Sequence, residues 1–301
     1  QSLLDRLTPL VDASVELHLW PMDAPSGLGH IDLAVMPYMA PASLLSVLAG
    51  EDVSAVQSQA LGHDNVEQYL PEGVVFCNAV GVHEGSTAEL ALGLILVAQR
   101  EFDTYLRESG RWNQVFSPGL MGLTVLLVGV GGVGEAIRRR LEGFEVTVTR
   151  SASRARLDGH GPVGGPEELP GLVSDADVVV LGAPLTEATR HLFDREMIAR
   201  MKPGALLVNV GRGGLVDSAA LVEATSEGRI RAALDVMEPE PLPADHPLWT
   251  THGVIITPHV GGRSSSMEGR VVALVEGQVA ELVAGRPLWH RVGRPDPGRP
   301  A

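Results

Sequence analysis

The stretch Thr124-Val-Leu-Leu-Val-Gly129-Val-Gly131-Gly132-Val-Gly134 joins a strand-like apolar run to a cluster of glycines. In the spacing GxGxxG, Gly129 allows a tight turn, Gly131 lets the backbone approach a pyrophosphate, and Gly134 lets a helix pack closely on the strand. The start of that helix offers unpaired N–H groups to the phosphates. The stretch predicts a dinucleotide-binding turn. If the GxGxxG spacing is taken by itself, the alternative is a glycine-rich turn that serves only the packing of the helix on the strand.

Composition narrows the classes of ligand and compartment. The 301 residues carry a formal charge of −14, which argues against nucleic acid or an anionic membrane as a partner and favours small ligands. Cys77 is the only cysteine, so no intrachain disulfide is possible, and its place in an apolar run predicts a buried small residue. The apolar run Leu90–Ala98 is too short to span a bilayer, and the start of the chain lacks the pattern of a signal peptide. We expect a soluble, cytoplasmic protein.

Short strand-like runs alternate with helical patterns along the chain, which predicts an α/β fold with parallel sheets. The runs before the glycine motif predict a small four-stranded sheet: Val15–Trp20, Ile31–Met36, Val53–Ser58 and Val74–Asn78. The motif and the runs after it predict a six-stranded dinucleotide-binding sheet: Thr124–Val128, Phe144–Thr149, Val178–Leu181, Ala205–Val210, Arg231–Val236 and Gly253–Thr257.

Two long helical patterns connect these groups of strands. Glu89–Arg100 lies between them, and Ser266–Gly285 could return the chain to the first group. We therefore expect a discontinuous substrate domain, residues 1–89 with 266–301, and a Rossmann domain, residues 90–265.

Three polar residues follow late predicted strands: Arg212, Glu240 and His259. Singly, each is more simply explained as a solvated loop residue or a structural side chain. Because ligands of open α/β sheets bind outside the carboxyl ends of the strands, the three can converge on one crevice. An arginine fork matches a carboxylate, a histidine exchanges protons near neutrality, and a carboxylate orients and charges that histidine. Together they supply what hydride transfer at a carbon next to a carboxylate requires.

These residues resemble the D-isomer-specific 2-hydroxyacid dehydrogenases, a family that includes glyoxylate/hydroxypyruvate reductases. The resemblance runs from about Gln57 to Val292. Its motifs are the glycine turn, Gly62-His-Asp-Asn-Val, Asn78-Ala-Val-Gly, Thr87-Ala-Glu, Ala183-Pro-Leu-Thr-Glu-Ala-Thr-Arg-His-Leu, Asn209-Val-Gly-Arg-Gly-Gly-Leu-Val-Asp217, Leu234-Asp-Val and Thr257-Pro-His-Val-Gly-Gly.

The resemblance implies two Rossmann-like domains, the larger with the six-stranded dinucleotide-binding sheet and the smaller a flavodoxin-like substrate domain. It implies that Arg212 binds the substrate, that His259 is the acid/base and that Glu240 is its carboxylate partner. Backbone amides near Leu61 and Gly62 would hold the substrate carboxylate, and no metal is expected. The implied cofactor contacts are Thr87, Gly129, Gly131, Gly132, Val133, Gly134, Ala183, Pro184, Val210, Gly211, Asp235 and Gly261.

The chain departs from the family pattern in two places. Family members usually open with a strand ahead of the helix expected at Leu3–Val11; either the small domain lacks that strand or the chain has been shortened. At the end of the second Rossmann strand, where NAD-specific sites carry an acid, Arg150 and Ser151 stand with Arg154 close behind. These residues predict a site for the 2′-phosphate of NADP(H), with NAD(H) possible, and a solvated basic turn is the alternative.

The segment before Gly62 bears on the substrate, and Trp112 bears on the assembly. No Arg or Lys occurs in Val56–Leu61, which favours a small 2-oxo acid such as glyoxylate or hydroxypyruvate over a phosphorylated one. By resemblance, Trp112 either closes the pocket of a partner subunit in a homodimer or packs at the dimer contact. Two rival functions stay open: a corepressor-like dinucleotide sensor without turnover, and a dehydrogenase of an inorganic oxyanion such as phosphite.

Overall fold

A computed structural model describes residues 3–11, 13–107, 110, 112, 114 and 116–293. The chain divides into two compact units, Gln1–His83 with Ser264–Ala301, and Glu84–Arg263. The expected boundaries, after residues 89 and 265, lie slightly further along the chain. The first boundary falls earlier because the helix that begins at Glu84 belongs wholly to the second unit.

The strands are β1 Ile31–Val35, β2 Val53–Gln57, β3 Val75–Cys77, β4 Thr124–Val128, β5 Thr147–Ser151, β6 Arg156–Asp158, β7 Gly161–Val163, β8 Val178–Leu181, β9 Leu206–Asn209, β10 Arg231–Leu234 and β11 Val254–Ile256. The α-helices are α1 Leu3–Leu7, α2 Glu84–Gln99, α3 Phe102–Arg107, α4 Gly132–Leu141, α5 Leu169–Asp175, α6 Arg195–Arg200, α7 Ser218–Ser226 and α8 Met267–Val283. Among the described residues, no helix combines the length and the apolar character that crossing a membrane requires.

The first unit contains a three-stranded parallel sheet in the order β1-β2-β3. The prediction of a fourth strand at Val15–Trp20 is wrong, since these residues form no ladder. Their alternating apolar pattern does not mark one buried face: Leu17 packs against α1 and α8, whereas Leu19 is 75% exposed. The buried Gln278 of α8 donates a 2.6 Å hydrogen bond to Gln57 Oε1 at the end of β2, which anchors the helix to the sheet.

The second unit is built on a six-stranded parallel sheet in the order β11-β10-β9-β8-β4-β5, and this confirms the six predicted strands. Successive residues of a strand point to opposite faces, so each strand contributes side chains to two hydrophobic cores, one on each face of the sheet. Leu126 and Val179 pack on one face, while Val125 and Val178 pack on the other with α2 and α4. Strands buried on both faces explain the continuous apolar runs of the sequence.

The switch in strand order lies between β4 and β8, because the chain continues from β4 to β5 on one side and later returns to β8 on the other. Such a switch leaves a crevice at the carboxyl ends of the two strands, where ligands of doubly wound sheets bind. The glycine motif leaves β4 at this point, and α4 begins at Gly132.

A short antiparallel hairpin, β6–β7, follows β5 and was not predicted. Asp158 ends β6, and Gly159 and His160 form the turn. An Asp-Gly dipeptide is a recognised hairpin signal. The hairpin is attached to the edge of the large sheet, since the Gly164 N–H donates to the Arg150 carbonyl and the Ala152 N–H to the Gly164 carbonyl, both at 2.9 Å. It therefore adjoins the carboxyl end of β5.

Candidate active site

Arg212 is held in a turn directly after β9. The side chain of Asn209 braces this turn, because its Oδ1 accepts from Gly211 N at 3.1 Å and its Nδ2 donates to the Arg212 carbonyl at 2.9 Å. The guanidinium of the half-buried Arg212 donates to the Gly211 carbonyl at 2.7 Å. The turn thus fixes the backbone of Arg212 beside the switch crevice.

Glu240 lies in the proline-rich loop that follows β10. Two residues earlier, Glu238 accepts hydrogen bonds from Arg190 at 3.1 Å and His191 at 3.2 Å, the last two polar residues of the motif that follows β8. The contact with His191, followed by that with Arg190, lowers the pKa of Glu238. The Ser218 hydroxyl donates to the Glu238 carbonyl from the start of α7. The loop that carries Glu240 is therefore tied to two neighbouring segments.

His259 follows β11, and Asp235 organises the turn that carries it. The Asp235 carboxylate accepts from Thr257 Oγ1 at 2.6 Å and from the N–H groups of Val260 and Gly261 at 2.9 Å each, and its carbonyl accepts from His259 N at 2.8 Å. His259 has a φ of 51°, in the left-handed region that non-glycine residues seldom adopt. Residues held in that region concentrate at functional sites, where the surroundings determine the conformation.

The side chains of His259 and Glu240 are hydrogen-bonded to each other, with Nδ1–H of the ring donating to Oε1 of the carboxylate. This contact is the main cause that raises the pKa of His259; burial opposes it, the charges of Glu240 and Asp235 add to it, and the charge of Arg212 lowers the pKa. Because Glu240 engages Nδ1, the Nε2 nitrogen is left to exchange a proton with a ligand. The three predicted catalytic residues thus occupy one edge of the sheet.

The glycine turn has the shape that a pyrophosphate cradle requires. Gly129 has a φ of 101°, and a Cβ there would lie 2.6 Å from Ala183 N across the switch crevice. A Cβ on Gly134 would lie 2.0 Å from the Gly129 carbonyl oxygen, so the helix packs against the turn as closely as the sequence implied. A Cβ on Gly131 would meet nothing within 4 Å, which leaves open space over the turn. This geometry fits a bound dinucleotide.

Other predicted cofactor residues line the same edge. Gly211 approaches Ala183, since a Cβ on Gly211 would lie 2.9 Å from the Ala183 carbonyl oxygen. A Cβ on Gly261 would lie 2.9 Å from Asp235 Oδ2 and 3.3 Å from Thr87 Oγ1. Gly132 starts α4 and faces the side chain of Glu84, Val133 is half-buried, Pro184 is exposed and Val210 is buried.

The sequence predicts that Arg150 is either a cation available to a phosphate or part of a solvated turn. In the structure it is neither, because it is buried in an ion pair. Its side chain is 5% exposed, and its Nη1 and Nη2 donate to the two carboxylate oxygens of Asp158 at 2.9 and 2.8 Å. Nη2 also donates to the Gly161 carbonyl at 2.8 Å. Ser151 is buried and Arg154 is exposed. The sequence did not reveal this arrangement because Asp158 reaches Arg150 only through the unpredicted hairpin.

The residues expected to contact substrate outside the large sheet belong to both units. In the first unit, the loop around Leu61 and Gly62 is held by Asn78, whose Nδ2 donates to the Leu61 carbonyl at 2.9 Å. In the second unit, Trp112 is 95% exposed.

Sequence reasoning missed three residues that shape the site: Asn209, Thr257 and Asp158. Asn209 and Thr257 lie inside motifs that carry the family resemblance, and their positions at strand ends are the signal that points to them. For Asp158 the signal was the Asp-Gly dipeptide.

Comparison with known proteins places this geometry in a family. The pattern of "D-isomer specific 2-hydroxyacid dehydrogenase, NAD binding domain" matches residues 92–261. The chain is 35% identical over 286 residues to a glyoxylate reductase of Korarchaeum cryptofilum, covering 88% of this chain and 86% of that one. It is 35% identical over 245 residues to a hydroxypyruvate reductase of Thermotoga maritima, covering 78% and 79%.

A solved structure extends the likeness to both units. An NADPH-dependent glyoxylate/hydroxypyruvate reductase from Sinorhizobium meliloti, in complex with NADP and malonate, is similar with a TM-score of 0.76 and 29% identity, covering 90% of this chain and 86% of that one. Together with the Rossmann sheet and the residues at its edge, these matches show that the chain belongs to the D-isomer-specific 2-hydroxyacid dehydrogenases, a family of oxidoreductases with an NAD-binding domain.

Proposed function

We propose that this enzyme reduces a small 2-oxo acid, glyoxylate or hydroxypyruvate, and that it prefers NADP(H) over NAD(H). The observation that carries the proposed chemistry is the hydrogen bond between Glu240 and His259 at the carboxyl edge of the sheet. A histidine kept protonated by a carboxylate is the general acid that reduction of a carbonyl needs.

Each residue has a part in this reaction. When bound, the dinucleotide supplies the hydride. Arg212 holds the substrate carboxylate and polarises its carbonyl oxygen, because its planar fork matches two oxygens at once. His259 gives a proton from Nε2 to the alkoxide oxygen, and Glu240 stabilises the imidazolium before that transfer. Asp235 keeps the His259 turn in place through its three side-chain hydrogen bonds.

The substrate proposal rests on charge and on relatives. The segment Val56–Leu61, which leads from the end of β2 to the expected carboxylate-binding amides of Leu61 and Gly62, has no cation for a second anion. Relatives at 35% identity are named glyoxylate reductase and hydroxypyruvate reductase. These observations favour a small acid without a phosphate.

The cofactor proposal rests on what the end of β5 carries. Arg150 and Ser151 stand there in place of the carboxylate that binds ribose hydroxyls in NAD-specific sites, and Arg154 is exposed nearby. A neighbour of similar fold was solved with NADP. The ion pair of Arg150 with Asp158 limits this preference, because it occupies the guanidinium that the 2′-phosphate would bind.

We also propose a homodimer located in the cytoplasm. The exposed Trp112 belongs to a group of exposed apolar side chains in residues 102–121: Phe102, Leu106, Trp112, Phe116 and Met121. Exposed apolar groups of this kind are typical of protein interfaces. Sedimentation of the purified protein tests the dimer, and a monomer at micromolar concentration would contradict it.

The deciding experiment is an absorbance assay at 340 nm with a panel of 2-oxo acids and with NADPH or NADH. We expect turnover of glyoxylate or hydroxypyruvate, with a higher kcat/KM for NADPH. Tight dinucleotide binding without turnover of any acid would favour a dinucleotide sensor instead, and turnover of phosphite with NAD(P)⁺ would favour an oxyanion dehydrogenase.

A further inference from the structure

We propose that Asp158 sets the cofactor preference of this enzyme, because it acts as an internal counter-ion that competes with the 2′-phosphate of NADP(H) for Arg150. The inference rests on the proposed binding of a 2′-phosphorylated dinucleotide. It assigns the discrimination between NADP(H) and NAD(H) to Asp158, which lies in the hairpin after β5 and not at the end of a Rossmann strand.

Arg150 stands where the adenosine ribose of a dinucleotide would lie. It is the penultimate residue of β5, and Ser151 pairs in register with Val128, the last residue of β4. The Ser151 carbonyl accepts from Gly129 N at 2.8 Å, so this strand end adjoins the first glycine of the turn. A cation at this position is therefore within the region that a 2′-phosphate would occupy.

The Arg150–Asp158 contact occupies the N–H donors of Arg150 that a phosphate would bind. Both terminal nitrogens of Arg150 face the two oxygens of Asp158, which is the bidentate geometry that a phosphate also favours. This ion pair lowers the pKa of Asp158 to about 2, so the carboxylate is charged throughout the neutral range. Toward the ribose site, the pair presents a net charge near zero rather than a cation.

The hairpin fixes Asp158 in this position. Asp158 ends β6, its Oδ1 also accepts from His160 N at 2.8 Å, and the hairpin is joined to β5 through the hydrogen bond between Gly164 N and the Arg150 carbonyl. At the tip, His160 Nε2 lies 3.7 Å from Glu135 Oε1 in the first turn of α4. The counter-ion is therefore carried by an element that spans the end of β5 and the start of the helix behind the glycine turn.

A bound 2′-phosphate would have to draw Arg150 away from Asp158. A phosphate monoester carries roughly −1.5 to −2 charges at pH 7 and can outcompete one carboxylate. Breaking the Arg150–Asp158 pair nevertheless offsets part of the binding free energy between Arg150 and the phosphate. Removing the charge of Asp158 should therefore strengthen binding of 2′-phosphorylated ligands and leave unphosphorylated ones unchanged.

Calorimetric titration with 2′,5′-ADP and 5′-ADP tests this directly, without any turnover. We expect D158N to bind 2′,5′-ADP about ten-fold more tightly than the wild type, since a charge-assisted hydrogen bond is worth about one to two powers of ten in affinity. The affinity for 5′-ADP should change less than two-fold. D175N is the matched control, because Asp175 is an exposed residue just ahead of β8, at the amino-terminal ends of the parallel strands and away from the carboxyl end of β5. It should change neither affinity.

A double variant separates the role of Asp158 from a general effect on folding. R150M/D158N removes both partners together and leaves no unpaired buried charge, and it should lose the gain seen in D158N. The ratio of kcat/KM for NADPH over NADH should rise in D158N in parallel with the binding ratio.

Three results would overturn the inference. If wild type prefers 2′,5′-ADP and D158N does not increase that preference, Asp158 does not compete for Arg150, and the proposed NADP(H) preference survives. If D158N weakens binding of both nucleotides, Asp158 contacts the ribose itself. If neither protein distinguishes the two nucleotides, the proposed cofactor preference fails as well, while reduction of a 2-oxo acid stays a separate question.

Discussion

The side chains of Glu240 and His259 meet although they are 19 residues apart in sequence, and the strand β11 lies between them. The pair forms because β10 and β11 are neighbours and parallel, so that the loops after both strands emerge at one edge of the sheet. This contact orients the ring and raises the pKa of His259.

Replacing His259 by alanine should lower turnover by on the order of 10²–10⁴, the usual contribution of a positioned acid/base. The affinity for the dinucleotide should stay nearly unchanged, because the ring is assigned to the substrate oxygen. Steady-state kinetics and nucleotide titration measure the two effects. H252A, at an exposed histidine ahead of β11, is the control, and an H259A variant with wild-type turnover would remove His259 from the mechanism.

The activity of the wild type should depend on pH in opposite senses for the two directions. Reduction needs protonated His259 and oxidation needs the neutral ring. Since Glu240 raises the pKa of His259 above its ordinary value, reduction should decline as pH rises through that raised pKa, and so at a higher pH than for an unpaired histidine. Oxidation should grow over the same interval. Profiles of kcat/KM in both directions test this, and parallel profiles would contradict it.

Exchanging Glu240 for glutamine should move these profiles. The amide keeps a hydrogen-bond acceptor for Nδ1 but removes the negative charge that favours the imidazolium. The pKa of His259 should fall, so the decline of reduction should shift to lower pH. E238Q is a matched control, because Glu238 lies in the same loop and contacts Arg190 and His191 instead. An unshifted profile in E240Q would show that Glu240 does not charge the ring.

Changing Arg212 to lysine should lower kcat/KM for the 2-oxo acid by roughly ten- to a hundredfold, because a point charge cannot replace a planar fork that binds two oxygens. The dinucleotide affinity should change little. R200K, at an exposed arginine of α6 paired with Glu196, serves as the control for the exchange itself. An R212K enzyme with unchanged kcat/KM would place the substrate carboxylate elsewhere.

Introducing alanine at Gly134 should destabilise the second unit by about 1–3 kcal/mol, the usual cost of overpacking, and weaken dinucleotide binding. The reason is the 2.0 Å approach of a Cβ to the Gly129 carbonyl oxygen. G171A is the matched control in α5, where a Cβ would meet nothing within 4 Å, and it should leave stability unchanged or raise it by up to about 1 kcal/mol. Chemical denaturation measures both, and equal stabilities would show that the helix can shift away from the turn.

The order of apolar runs, the glycine spacing and the residues after each run were enough to predict the large sheet. Parallel strands buried on both faces leave continuous apolar runs in the sequence, and their carboxyl ends must share one edge. For this reason Arg212, Glu240 and His259 could be assigned to one crevice from sequence position alone. The same reasoning failed at Val15–Trp20, because an alternating pattern shows that a strand is possible and not that a partner strand is available.

Only the tertiary structure decided which side chains from different segments contact each other, because local sequence patterns do not show these contacts. The sequence presents Arg150 as a cation at a strand end, whereas the folded hairpin brings Asp158 onto both of its terminal nitrogens. Likewise the motif predicts a cofactor contact for Asp235, and only the fold shows that its carboxylate holds the turn of His259. The charge that a residue presents depends on which partner reaches it, and that is fixed by the packing of distant elements rather than by the residues beside it in the chain.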